Sequence, residues 1–149
     1  MFTNGTPGSI LVVRLGAMGD IVRTLPAVRL VRSGLPHARI HWVAWEPWTQ
    51  LLTDHPDIDG VVGIRRSVLR KLSRSPVTWL ALVRAGWTIG VRVRGLRAGL
   101  ALDFHGDFRT GLLGRISGAP ARLGYSGHQQ KEGNLLFTNL HVESGKRRT

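Results

Sequence analysis

The chain has 149 residues and no cysteine, and its 21 Lys and Arg outnumber nine Asp and Glu for a net charge of +12. That length suits one domain with a substantial core, and the absence of cysteine excludes a disulfide framework, thiolate-held zinc and a thiol nucleophile. The 19 glycines follow no G-X-Y period, so a collagen-like chain is excluded too, and 42% hydrophobic with 20% charged residues fits a folded soluble domain.

The first nine residues, Met1 to Ser9, are short, polar and uncharged, unlike a secretory leader. Residues 1–8 are expected to be a flexible N-terminus. From Ile10 to Val13, and again at Leu15, the chain is apolar and mostly branched, as in a parallel strand covered on both faces. Gly16 and Gly19 then bracket a turn, and Asp20 follows at once. Met18, Ile21, Val22, Leu25, Val28 and Val31 have helical spacing, which predicts a helix with those residues on its apolar face. Gly34-Leu35-Pro36 stops it. Arg39 to Trp45 reads as the second strand, Glu46 to Leu52 as a short helix, and Val61, Val62 and Ile64 as a third strand.

From Arg65 to Arg97 the chain carries nine basic residues and no acid. Such a field attracts phosphorylated or otherwise anionic partners. Ser67 to Leu72 is a further candidate helix, and Ser75-Pro76 opens another that carries Trp79, Leu80, Leu82 and Val83. Trp87 to Arg97 is ambiguous: Val91 and Val93 alternate like a strand, but the charge is too high for a central one. Gly99 to Phe104 is the next clear strand, His105-Gly106-Asp107 its turn, and Phe108 to Ile116 a helix stopped by Gly118 and Pro120. Arg122 to Tyr125 is a candidate last strand, and residues 143–149 form a polar, basic tail. Strands separated by helical segments predict right-handed crossovers and a mainly parallel, Rossmann-like α/β sheet. Residues 9–142 are taken as that domain.

Two strand ends look alike. Arg14 to Asp20 and Asp103 to Asp107 each place a glycine and an acid just beyond a buried run, so both should emerge on one edge of the sheet. A carboxylate there can take a proton from a hydroxyl nucleophile. Asp20 is the better candidate base, with Gly16 and Gly19 offering close approach to a ligand. Asp103, inside the strand pattern, reads as a structural acid. His105 is placed to orient a sugar hydroxyl or is a plain loop residue. The six histidines show no metal-ligand spacing, so no metal site and no cofactor are expected.

The alternatives lack their signatures. A dinucleotide site needs G-x-G-x-x-G, but Arg14 stands at the first glycine. A phosphate-loop ATPase needs G-x-x-x-x-G-K-[ST], which is absent. A single-stranded nucleic-acid surface interleaves aromatic and basic residues, whereas Trp42, Trp45 and Trp48 cluster around the second strand, where they suit packing or the lining of a sugar pocket. Nucleic acid is therefore the least favoured partner.

The run V-R-L-G-A-M-G-D-I-V-R-T-L-P-A, from Val13 to Ala27, resembles the opening motif of the lipopolysaccharide heptosyltransferases, glycosyltransferase family 9. Pro36 to Val43, His55 to Val61, Leu102 to Tyr125 and Lys131 to Asn139 resemble later segments of the same family, in order. The resemblance implies the N-terminal, acceptor-side domain of a GT-B enzyme that moves heptose from ADP-heptose, its donor substrate, onto the lipopolysaccharide inner core. It implies inverting, metal-independent displacement at the cytoplasmic face of the inner membrane, with the C-terminal donor domain absent from these residues and this chain inactive by itself. A phosphorylated glycolipid such as Kdo-lipid A would be the acceptor, with Arg66, Arg70 and Lys71 facing the anionic membrane surface. Asp20 matches the proposed general base. Gly16, Met18, Gly19, Arg23, Thr24, His105, Gly106 and Arg122 fall where acceptor contacts are implied. Arg23 stands where many members carry histidine, and His105 where many carry glutamine. A non-catalytic binding domain for anionic sugars or lipids is the alternative.

Overall fold

The computed structural model describes residues 5–66, 79–126 and 133–143. Six strands form one sheet: β1 (Ser9–Val13), β2 (Arg39–Trp45), β3 (Gly60–Ile64), β4 (Leu100–Asp103), β5 (Ala121–Ser126) and β6 (Leu140–Glu143). Every neighbouring pair is parallel, and the order across the sheet is β3-β2-β1-β4-β5-β6. The chain thus builds outward from β1 in one direction, returns, and builds outward from β4 in the other. The point of reversal lies between β1 and β4, where the C-terminal strand ends open a crevice in folds of this kind. The expected layered, mainly parallel α/β fold is the fold observed.

Among the described residues, three α-helices cover the sheet: α1 (Met18–Gly34), α2 (Trp79–Gly95) and α3 (Phe108–Ile116). Because side chains alternate along a strand, β1 feeds two cores. Ile10 and Val12 pack with Ile21 and Val28 of α1, Ile40, Trp42 and Leu102. Leu11 and Val13 pack on the other face with Val43, Val62, Ile64 and Val93 of α2. Ile10, Leu11, Val12 and Val13 are all fully buried, which explains an unbroken apolar run where a half-exposed strand would alternate.

Several expectations need correction. The buried stripe of α1 is Ile21, Thr24 and Val28, and Met18 and Val22 are exposed instead. Spacing identified the helix, but only its docking angle on the sheet chose the buried face. Trp87 to Gly95 is helix, continuous with Trp79, so Val91 and Val93 do not alternate across a strand. Val93 is buried against the sheet and Val91 is exposed. The segment Glu46–Leu51 is a 3₁₀ turn with Pro47 near its start. Strand β6 was not anticipated: four residues, Leu-His-Val-Glu, give too short an alternation to read without its partner β5. The candidate helix at 67–72 and the Ser75-Pro76 cap lie outside the described residues, as do Arg70, Lys71 and the tail from 144 onward.

Candidate functional site

Parallel register places the two look-alike strand ends side by side: Val13 pairs with Asp103, and the loops 14–17 and 104–107 leave the same edge. Arg14 joins them. Its backbone N–H donates to the Val43 carbonyl at 3.3 Å, and its own carbonyl accepts from Trp42 Nε1 at 3.1 Å. With its backbone held, the guanidinium donates to the Phe104 carbonyl in the β4 loop and pairs with Asp20 Oδ2 at 3.0 Å. One arginine therefore ties the strand-end loops to the first turn of α1. In the sequence Arg14 stands out only as the residue that breaks a glycine motif. The available signal was a cation placed directly after a fully apolar strand and before a glycine turn.

Asp20 occupies the third residue of α1, where its backbone N–H bonds to Ala17 and the helix dipole favours a negative charge. Its side chain is 40% exposed. Arg14 engages one carboxylate oxygen; the second has no hydrogen-bond partner among the described residues. Gly16 lies under this group. A Cβ there would sit 3.0 Å from Asp20 Oδ2 and 3.5 Å from His105 Cε1, so the glycine is what lets the carboxylate and the imidazole close over the turn. Gly19 has open space around its would-be Cβ, leaving that flank of the helix start accessible.

The β4 loop is held from below by Asp103. This buried carboxylate accepts the His105 and Gly106 backbone N–H groups at 2.9 Å each on Oδ1. On Oδ2 it accepts Thr110 Oγ1 at 2.9 Å and Asn134 Nδ2 at 2.6 Å. Gly106 completes the turn with φ of 77°, a left-handed conformation that other residues adopt at a cost. Asp107 then caps α3: its Oδ1 accepts from the Thr110 N–H at 2.8 Å, and Thr110 returns a bond to the Asp107 N–H. The other oxygen of Asp107 is 3.4 Å from His105 Nε2, which fixes the ring over the Gly16 turn. Asp103 is thus the structural acid its position in the strand suggested.

A cavity of about 270 Å³ opens beside this turn, lined by Leu15, Gly16, Ala17, Trp45, Trp48, Arg66, His105, Asp107 and Arg109. Two indole rings, two guanidiniums, an imidazole and a carboxylate therefore converge next to Asp20. Apolar faces with a few charged groups are the usual lining of a small-molecule site, and this set suits an anionic sugar, with the rings under the carbohydrate and the arginines on its acidic substituents. Trp42 is separate: it is fully buried and serves as the anchor of Arg14. Arg109, at the exposed start of α3, was not singled out from the sequence, because nothing in the local pattern shows that its helix begins over β1.

The remaining predicted site residues divide. Arg66 is exposed and lines the cavity. Met18 and Arg23 are exposed on α1, and neither lines the cavity. Thr24 is buried, with its hydroxyl donating to the Asp20 carbonyl at 2.8 Å; it supports the helix start from inside. Arg122 is not brought to the cluster. It pairs with Ala101, two residues before the end of β4, and its guanidinium donates to the Phe137 and Ala119 carbonyls at 2.6 Å each. Burial, helped by the nearby Arg115 charge, lowers its pKa. Its geometry is that of a strap joining β5 to the segment before β6. Among the described residues, no group of three or more His, Asp and Glu could hold a metal ion, and no helix is long and apolar enough to cross a membrane.

No protein-family profile matches the chain. Curated relatives do match. Lipopolysaccharide heptosyltransferase 1 of Escherichia coli K12 is 34% identical over 59 residues, covering 38% of this chain and 18% of that protein. Lipopolysaccharide heptosyltransferase 1 of Pseudomonas aeruginosa is 24% identical over 110 residues, covering 73% and 30%. The matched segments therefore span under a third of the length of these relatives. Among solved structures, the Escherichia coli heptosyltransferase WaaC with ADP-2-deoxy-2-fluoro heptose superposes with a TM-score of 0.77 at 21% identity, over 94% of this chain and 44% of that one. The resemblance read from the motifs is thus matched by similarity in sequence and in fold. The six-stranded parallel sheet is the fold found in family 9 heptosyltransferases, which are of the GT-B type.

Proposed function

We propose that this chain supplies the acceptor side of a sugar transferase acting in lipopolysaccharide core assembly, moving heptose from an ADP-activated donor. The observation that carries the reading is the approach of both Asp20 and His105 to Gly16, beside a cavity lined by Trp45, Trp48, Arg66 and Arg109. The likeness to heptosyltransferases supports the reaction class. In the proposed mechanism an acceptor hydroxyl donates its proton to the unengaged oxygen of Asp20 as it attacks the anomeric carbon from the face opposite the leaving ADP, inverting that centre. Arg14 holds Asp20 in place, and His105, steadied by Asp107, orients a second hydroxyl. Arg66 and Arg109 bind acidic groups of the acceptor, a phosphorylated, Kdo-bearing glycolipid presented at the inner face of the inner membrane.

The donor diphosphate would be neutralised by cationic groups outside these 149 residues, without a metal. That division makes the isolated chain an acceptor binder with negligible transfer, because orienting both reactants across a cleft supplies about 7–11 kcal/mol of the barrier reduction in such reactions. The test is Asp20→Asn in the active assembly that contains this chain, assayed for heptose transfer from ADP-heptose to Kdo-lipid A. Turnover should fall about 10²- to 10⁴-fold with acceptor binding retained. Turnover within threefold of the parent would remove Asp20 from the chemistry. A non-catalytic anionic-sugar binder would show the same acceptor binding and no transfer in any assembly.

A further inference from the structure

The outward face of α2 is not explained by sugar transfer. Val83, Trp87 and Val91 recur every fourth residue, so they lie on one strip of the helix. All three are exposed, and Trp87 is 74% exposed, an unusual position for an indole in a domain with this much core. Arg84 and Arg94 border the strip, whereas Arg92 lies further round the helix; all three are exposed and make no ion pair among the described residues. No acid occurs anywhere between Asp59 and Asp103. The far side of the same helix is committed to the fold, where Val93 is fully buried, and Gly90 at the edge of the strip fits against Ile116, whose Cγ2 would lie 3.2 Å from an added Cβ.

We infer that the Val83–Trp87–Val91 strip of α2, with its flanking arginines, is a docking surface for an anionic phospholipid bilayer. An apolar strip containing tryptophan and bordered by arginine is the pattern of a helix lying in the headgroup region, with the ring at the apolar boundary and the guanidiniums on phosphate. Charge selects this occupant over a second copy of the chain, since two such faces would bring four arginines together on molecules of net charge +12. Position supports it as well. The inner side of α2, at Gly86 and Ile89, lines a groove of about 560 Å³ that shares Leu15, Trp45, Arg66 and Arg109 with the site cavity. A bilayer against the outer side of α2 therefore holds the cavity at headgroup level, where an amphiphilic acceptor presents its sugars. The surface refines the membrane-side placement of the acceptor but requires only anionic lipid, so it can be tested without glycolipid or donor.

The 149-residue chain is pelleted with vesicles of phosphatidylcholine containing 30% phosphatidylglycerol, and with phosphatidylcholine alone, over a series of salt concentrations. Binding is expected only with the anionic vesicles and should weaken as salt rises. Each arginine near such a surface strengthens binding about fivefold, so Arg84→Gln/Arg94→Gln should weaken it about 25-fold. Brominated acyl chains should quench tryptophan fluorescence in the parent, and that quenching should be largely lost in Trp87→Phe, an exposed substitution that spares the core. Parent-like binding and quenching in both variants would overturn the assignment. So would a change that appears instead as loss of a concentration-dependent dimer, or tight binding to duplex DNA with none to anionic vesicles. Failure here leaves acceptor binding by the cavity untouched, and failure of sugar transfer leaves vesicle binding untouched.

Discussion

Removing the Asp103 carboxylate should unfold the site before it disturbs anything else. Asp103→Ala deletes the acceptor of four hydrogen bonds, those from the His105 and Gly106 N–H groups, the Thr110 hydroxyl and the Asn134 amide. The four donors are not equally stranded. Thr110 Oγ1 and Asn134 Nδ2 keep the Asp107 carbonyl at 3.0 and 2.9 Å, and His105 is half-buried, within reach of water. The Gly106 N–H is buried and has no such recourse. Hydrogen bonds to a charged group contribute about 1.5–3 kcal/mol each, and an orphaned buried donor costs about 1–3 kcal/mol. With three donors partly rescued, the loss should be about 3–5 kcal/mol, near the top of the range for single substitutions. For a chain of this size that lowers Tm by roughly 6–20 °C. Asp103→Asn keeps the shape and one acceptor oxygen but points its NH₂ at the Asn134 NH₂. Turning the Asn134 amide would offer its Oδ1, a buried atom with no partner in the parent, at the expense of the bond to the Asp107 carbonyl. Its cost should fall between parent and alanine, about 1–3 kcal/mol. Urea unfolding of the three proteins measures the series, and binding of a Kdo-lipid A fragment reports whether the His105 loop has moved. A loss below about 1 kcal/mol for Asp103→Ala, or acceptor binding unchanged at full folding, would refute the idea that this acid holds the loop.

Two other outcomes follow from the same geometry. Arg109→Ala should weaken acceptor binding about tenfold, the loss of one charge-assisted bond, while Arg29→Ala on the exposed side of α1 serves as the control; equal affinities for the two variants would take Arg109 out of the site. Stability should also fall on acidification near neutrality. Burial, with the Arg39 charge adding and Asp59 opposing, leaves His41 with a pKa below its ordinary 6.5 in the folded chain. The unfolded chain therefore binds that proton first, and His41's contribution is complete above pH 6.5 and lost as pH drops from there through the folded value. Burial raises Asp59, but the Ile40 N–H and the Arg32 pair outweigh it and hold its carboxyl below 3.8, so its contribution is lost only in stronger acid, from 3.8 downward. Urea midpoints at pH 7.5 and 5.5 should therefore draw closer in His41→Gln than in the parent; an equal drop in both would assign the loss to other groups.

Local chemistry made much of this protein legible from its sequence. A short unbroken run of mostly branched apolar residues ending at a glycine turn suits a strand buried on both faces, and β1 is one. Arg39–Trp45 and Phe108–Ile116 carry strand and helix patterns bounded by turn residues, and both elements fall where those patterns place them. The kinship of the two glycine-acid turns was also visible, because parallel strands must deliver their ends to one edge. What the tertiary structure alone decided is which side chains meet there. Arg14 became the link between loops only once β4 lay beside β1 and Trp42 rose beneath it. Arg109 and the two indoles Trp45 and Trp48 share a cavity although they are distant in the chain. Arg122 turned away from that cavity because two carbonyls from separate connections captured its guanidinium. The buried face of α1 and the exposed strip of α2 have the same origin. A periodic pattern says that a helix has an apolar side, while the angle at which the helix lies on a twisted sheet decides which residues that side contains. Spacing is a property of the chain, and the meeting of side chains is a property of the crossover connections that bring the strands together.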